Sequence, residues 1–170
     1  MTQHRWRARV ITCSDAASAG NREDRSGPAV RDLLARNGYL EAEVHVVPDS
    51  IERISREIVA AADRDGIHLI ITTGGTGIAP SDVTPEATAL VTERSVPGLG
   101  ELMRSRSLEK TPMASLSRAG AAVRGSALVV NLPGSVAGAT ENLQAILHLL
   151  PHALELLTGE RIEKHPTGKD

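Results

Sequence analysis

The sequence predicts an α/β fold whose strands are buried between two helical layers, and three observations carry that reading. Short apolar runs rich in β-branched residues alternate with segments of helical periodicity, the pattern expected of strands covered on both faces. Glycine and acidic residues gather where those runs end. The 170 residues, 41% hydrophobic and 24% charged, suit one globular domain with a sizeable core and exclude a disordered, collagen-like or coiled-coil chain.

Arg7 to Cys13 (RARVITC) reads as the first strand. Pro28 in the first turn, then Val30, Leu33 and Leu34 at helical spacing, predict a helix stopped by Gly38. Val44 to Val47 forms the second strand. Ile51, Ile54, Ile58, Ala61 and Ala62 mark one stripe of a helix ending near Gly66. His68 to Thr72 is the third strand, and helical spacing resumes from Pro85 through Leu90 and again over 99–105. Residues 107–120 give no clear period. Ala127 to Asn131 (ALVVN) is a buried strand, followed by a helix carrying Leu143, Ile146, Leu147 and Leu150. Pro151 starts a last helix, with Leu154 and Leu157, that Gly159 ends. One domain over 1–160 and a solvated tail over 161–170 follow, with no internal repeat.

Composition narrows the function classes. Nineteen Lys and Arg against 21 Asp and Glu give a net charge of -2, so no basic surplus draws the chain to nucleic acid. Trp6 and Tyr39 are the only aromatics, which removes the stacking platforms of single-strand binders and leaves the core to Leu, Ile, Val and Ala. A lone cysteine, Cys13, cannot close an intramolecular disulfide and fits a reducing compartment. Residues 1–10 hold no apolar signal region, and no run approaches the roughly 18 apolar residues of a membrane span. A cytoplasmic protein without a membrane partner is the expectation.

Ligands of open α/β sheets bind beyond the carboxyl ends of the strands. Here the first strand runs into Ser14 and Asp15, and the second into Pro48 and Asp49. The third runs into Gly74, Gly75, Thr76 and Gly77, and a later one into Asn131, Pro133, Gly134 and Ser135. If those strands are parallel, all four ends share one edge.

The segment Thr72 to Thr88, TTGGTGIAPSDVTPEAT, is the most informative. Three glycines in four residues let the backbone approach a ligand and offer N–H groups to an anion, and the helix near Pro85 adds its positive end. Phosphate binding is the functional reading; a glycine-rich turn without a ligand is the alternative. The segment lacks the Walker lysine, and Pro80 breaks a dinucleotide fingerprint begun by Gly75 and Gly77, which disfavours an α/β dehydrogenase.

Asp49 and Asp82 each follow a strand or the glycine loop, and two carboxylates beside a phosphate cradle suit Mg²⁺ when substrate oxygens complete its shell. Asp49 with Glu52 also reads as a helix cap, and Asp82 or Thr84 as the cap of the next helix. His148 and His152 have metal-ligand spacing, but Pro151 interrupts it. Cys13 within an apolar strand reads as a buried thiol, and Glu86 as a complement to a helix dipole.

TTGGTGIAPSDVTPEAT together with PGLGELMRSRSLEKTPMASLSRAGAAVRGSALVVNLPGS resembles the molybdenum cofactor biosynthesis family that includes molybdopterin adenylyltransferases, over about Arg9 to Gly159. The resemblance implies a three-layer α/β/α sandwich with a mostly parallel central sheet, assembled as a homotrimer. It also implies an enzyme that uses Mg-ATP to transfer AMP to the terminal phosphate of molybdopterin with release of pyrophosphate. Carried over by motif, the acidic positions are Asp49 and Asp82, expected to hold Mg²⁺. Ser81 stands where the family often carries Arg, and Val136 where it usually carries Pro.

On this reading Ser14 and Asp15 contact substrate, the backbone of Gly74, Gly75, Thr76 and Gly77 holds phosphate, and Asn131, Gly134 and Ser135 close the opposite side. Ser107, Ser117 and Arg118 are candidates for pterin or phosphate contacts. A carrier that binds molybdopterin in the same pocket without adenylation is the alternative. Substrates are small molecules, with room for transient contact with a molybdate-inserting protein.

Overall fold

A computed structural model of the chain describes residues 5–159; the expected tail lies outside them. The chain runs β1 (Arg7–Cys13), a single turn α1 (Asp15–Ser18), α2 (Ser26–Arg36), β2 (Leu40–Val47), α3 (Ile51–Val59) and β3 (Leu69–Thr73). It continues through α4 (Thr84–Val91), β4 (Arg94–Ser95), α5 (Pro97–Leu108), β5 (Gly120–Arg124), β6 (Ala127–Leu132), α6 (Val136–Ile146) and α7 (Leu150–Leu157). The six strands form one sheet in the order β2-β1-β3-β6-β5-β4. β2, β1, β3 and β6 pair in parallel, while β5 runs antiparallel to β6 and to β4. The mostly parallel α/β sheet is therefore present.

Period-two alternation divides the strands between two cores. Ala8, Val10, Leu69, Ile71, Leu128, Val130 and Leu132 point to one face and pack with residues of α2, α5, α6 and α7. Ile11, Cys13, Ile70 and Val129 point to the other and pack with Ile54 and Ile58 of α3, Ala61 beyond it and Ala87 of α4. The result is three layers with a largely aliphatic interior, joined on the first face by Met103 and the two aromatics, Trp6 and Tyr39. Arg9 is the one charged side chain buried among the described residues. Its guanidinium meets Asp65 at 2.6 Å, Glu43 at 3.5 Å and Glu57 at 3.8 Å, the pairing a buried charge requires.

Predicted and observed elements agree at β1, β3 and β6 to within a residue, and β2 starts four residues earlier than its Val44. The apolar stripe of α3 runs on into a turn of π-helix, Ala60–Arg64. Three elements have no counterpart in the sequence reading. α1 is one turn, β4 is two exposed residues, and β5 (GAAVR) is built mainly of small residues with little strand preference. β5 exists because β6 supplies a partner and α5 covers it.

Two consequences position the site. β1 has β2 on one side and β3 on the other, so the strand order reverses there and opens a crevice beyond Cys13 and Thr73. Because β5 is antiparallel, Gly120 at its start pairs with Asn131 near the end of β6. The segment entering β5 is thereby delivered to the same edge as the ends of the parallel strands.

Candidate active site

The crevice at the strand-order reversal is a cavity of about 540 Å³. Its wall takes Ser14 from β1, Asp49 from β2, Gly74 and Gly75 from β3, Asp82, and the Gly134–Ser135 turn after β6. A second hollow of about 390 Å³ continues from it over Thr76, Gly77 and Ser117, sharing Gly75, Asp82, Gly134 and Ser135. A third, of about 360 Å³, extends past Ser107, Ser117, Arg104 and Lys110. Together they make one trough along the edge.

The glycine loop is built from peptide groups turned one way. Gly74 and Gly75 lie at φ +102° and +65°, which only glycine adopts at low cost. The carbonyl of Gly74 accepts from Thr84 Oγ1 at 2.8 Å, and that of Gly75 from the Thr84 amide at 3.1 Å. The carbonyl of Thr76 accepts from the Arg118 amide at 2.8 Å. In a trans peptide the C=O and the following N–H point in opposite directions. Pinning three carbonyls toward Thr84 and Arg118, neither of which lines the cavity, therefore turns the amides of Gly75, Thr76 and Gly77 the other way. No acceptor among the described residues meets those three amides. Three free amides turned one way can hold an anion.

Both carboxylates border this loop. A β-carbon on Gly75 would lie 3.4 Å from Asp49 Oδ1, and one on Gly77 would lie 2.7 Å from Asp82 Oδ2. Asp49 does not cap α3; Ser50 does, accepting from the Arg53 amide. Asp49 instead exchanges hydrogen bonds with Asp15. Its Oδ2 accepts from the Asp15 amide at 2.9 Å, and its own amide donates to Asp15 Oδ1 at 3.0 Å. Asp82 does not cap α4 either. Its Oδ2 accepts from the Ala79 amide at 2.8 Å, closing the turn after the loop, and Thr84 spends its hydroxyl on Gly74 rather than on a cap. One oxygen of each carboxylate is thus held by an amide, and Oδ1 of each has no donor among the described residues. Burial raises the pKa of Asp49, partly offset by the Asp15 amide and reinforced by the charges of Asp15 and Asp82. The charge of Asp82 thus reaches Asp49 across a common cavity.

Other predicted residues fall into two groups. Ser14 caps α1, accepting from the Ala17 amide and from Arg22 Nη2 at 3.0 Å, on the cavity wall. Ser135 caps α6 through Gly138, so a second helix N-terminus faces the trough. Gly134 packs close to Gly74, whose Cα would lie 3.2 Å from an added β-carbon. Ser107 accepts from Asn142 Nδ2 at 3.0 Å and Ser117 from the Ala119 amide at 3.3 Å, both along the far part of the trough.

Asn131 and Arg118 depart from expectation. Asn131 shares the parity of Ala127 and Val129, so it projects under α4, where its Oδ1 accepts from Thr72 and Thr88. It does not face the cavity opposite the loop. Arg118 turns to the back of the loop and gives its guanidinium to protein acceptors instead of the cavity. His152 lies 3.7 Å from Glu155, and no group of three or more His, Cys, Asp or Glu among the described residues is arranged to hold a metal. Cys13 is buried, and desolvation pushes its pKa up to about 12.

The sequence reading missed Arg22 and Asp24. Asp24 Oδ2 accepts from Thr12 Oγ1 at 2.7 Å and Oδ1 from the Gly27 amide at 3.0 Å, securing the start of α2 beside the cavity. Their run, NREDR, has the composition of a solvated turn; its place in the connection between β1 and α2 was the only available signal.

A family model described as "Probable molybdopterin binding domain" matches residues 9–152. The chain belongs to this family. It is 38% identical over 156 residues to the molybdopterin adenylyltransferase of Helicobacter pylori strain J99, covering 91% of this chain and 89% of that one. The molybdopterin biosynthesis enzyme MoaB from Thermus thermophilus superposes with a TM-score of 0.86 at 50% identity, covering 91% of this chain and 98% of the other. The Mog protein of Mycobacterium ulcerans gives 0.85 at 35% identity, with 94% and 100% covered. Both solved structures share the fold described above. No helix among the described residues is long and apolar enough to cross a membrane.

Proposed function

We propose that the chain is a molybdopterin adenylyltransferase: it transfers AMP from ATP to the terminal phosphate of molybdopterin and releases pyrophosphate. The observation that carries the reading is the pair Asp49 and Asp82 bordering one loop of outward-turned amides, in a family whose relatives carry that activity. The loop amides, with the N-terminus of α6, hold phosphate oxygens and offset their charge without any side chain moving. The adjoining hollows of about 540, 390 and 360 Å³ offer room for two substrates, and seating both there would align the attacking phosphate oxygen with the α-phosphorus and convert encounter into positioning. The terminal phosphate oxygen forms the new bond to phosphorus as the bond to pyrophosphate breaks, so no proton or covalent enzyme intermediate is needed.

Asp49 and Asp82 fit Mg²⁺, because each keeps a hard oxygen without a protein donor among the described residues, and substrate phosphates would supply further oxygens. When bound, the ion would neutralise charge on the phosphate oxygens. The reading includes a homotrimer, as the family resemblance implies, working in the cytoplasm, as the composition with its lone cysteine suggests. The deciding experiment measures pyrophosphate released by the purified protein with molybdopterin and Mg-ATP. Asp82→Asn is expected to abolish release while molybdopterin still binds. Binding without release by the wild-type protein would make it a carrier, and undiminished release by Asp82→Asn would remove the metal role.

A further inference from the structure

Arg118 forms four hydrogen bonds to the back of the site, and none of them has been assigned a part in the reaction. Its amide donates to Thr76 O at 2.8 Å, Nε to Gly77 O at 2.7 Å and Nη2 to Asp82 O at 2.6 Å. Nη1 pairs with Glu86 in the first turn of α4. One planar fork thus joins the glycine loop, the Asp82 turn and the next helix. A lysine, with one freely rotating ammonium, cannot reproduce those three directions. The side chain is partly exposed and outside the hydrophobic cores, so it adds little to burial.

The geometry has a direct consequence for the amides. Gly77 O and Asp82 O both point to the guanidinium, so the N–H groups of Ile78 and Val83 that follow point away from it. The side chain thus holds the two ends of the 78–81 turn, at Gly77 and at Asp82, while the Arg118 backbone amide holds Thr76 O beside them. Asp82 closes that turn through Ala79, so the direction of its carboxylate depends on the same anchor.

We propose that Arg118 is a positioning residue for phosphate transfer, its side chain fixing the Gly77 end of the loop and the Asp82 turn, and with them the Asp82 carboxylate, without touching substrate. The inference rests on the adenylyltransferase reading above. Arg118→Ala is expected to lower kcat on the order of 10²-fold while KM for ATP changes far less, since a displacement near 1 Å in a positioned site has an effect of that size. Arg118→Lys is expected to recover only part of the loss. Guanidinium added well below its denaturing range should restore turnover to Arg118→Ala by about tenfold or more. A purely structural role would respond to neither measure.

Glu86→Gln, an exposed change, removes one arm of the fork and is expected to lower kcat several-fold; it carries the test if Arg118→Ala fails to fold. Wild-type kcat in Arg118→Ala or in Glu86→Gln, or a loss in Arg118→Ala that guanidinium does not relieve, would overturn the proposal. If the wild-type protein releases no pyrophosphate, the function reading fails first. Calorimetry with inorganic pyrophosphate then decides the clamp separately: about tenfold weaker binding by Arg118→Ala supports it, and equal binding refutes it.

Discussion

Replacing Gly74 with alanine tests whether the cradle depends on close backbone approach or only on a flexible residue. Gly74 lies at φ +102°, and a β-carbon there would fall well inside 3.0 Å of the Cys13 carbonyl oxygen, a backbone atom that cannot rotate aside. The left-handed conformation costs a non-glycine residue about 1–2 kcal/mol. The overlap must be relieved by separating the ends of β1 and β3, a packing cost of about 1–3 kcal/mol. Gly20 is the internal control. It has φ +74° but open space around its β-carbon position, so Gly20→Ala meets the conformational cost alone. For a chain of this length about 1 kcal/mol moves Tm by roughly 2–4 °C, so Gly74→Ala should melt several degrees below Gly20→Ala. Thermal unfolding followed by circular dichroism, beside the pyrophosphate assay, reads both effects. Turnover should fall in Gly74→Ala and survive in Gly20→Ala. Equal melting temperatures, or full activity in Gly74→Ala, would show that β1 and the loop need not meet as closely as described.

Three other perturbations separate stability from chemistry. Burial and the neighbouring carboxylates raise the Asp49 pKa above its unfolded value, so the folded chain binds the proton more firmly and stability falls as pH rises through the raised pKa. Asp49→Asn should therefore raise Tm at pH 7, lose that advantage as pH falls toward the ordinary carboxyl range near ~4, and abolish turnover; an unchanged or lower Tm at pH 7 contradicts the electrostatic account. Cys13, with its pKa pushed up to about 12, should resist a thiol reagent at pH 8 until the protein unfolds, and rapid stoichiometric labelling of native protein would disprove its burial. Ile71, fully buried at the centre of β3, should lose about 2–5 kcal/mol on replacement by alanine, seen as a lower denaturant midpoint with an unchanged slope.

The parallel part of the fold was legible because each of its strands is an apolar run long enough to stand out from its helices. β5 was not: three alanines and glycines between two polar stretches become a strand only when β6 and α5 close over them. The acidic pair and the glycine loop were legible because strand-end placement and residue type agreed. The supposed caps were misread at Asp49 by one residue, since Ser50 competes for the same amides and wins. Asn131 was misplaced although alternation from Ala127 and Val129 specifies its face; its nearness to the LPG turn drew it to the wrong side. Arg118 shows the limit of reading residue type. A cation beside a phosphate site suggests a ligand contact, and only tertiary geometry reveals that two backbone carbonyls and the Glu86 carboxylate have claimed its guanidinium first.

A grip made of peptide groups has an evolutionary corollary. Every residue possesses an amide, so drift at Thr76 would leave that point of attachment in place, whereas one substitution at Asp49 or Asp82 deletes a carboxylate outright. Descendants of such a protein can stop reacting long before they stop holding, and a mute homologue that retains its ligand is one mutation away.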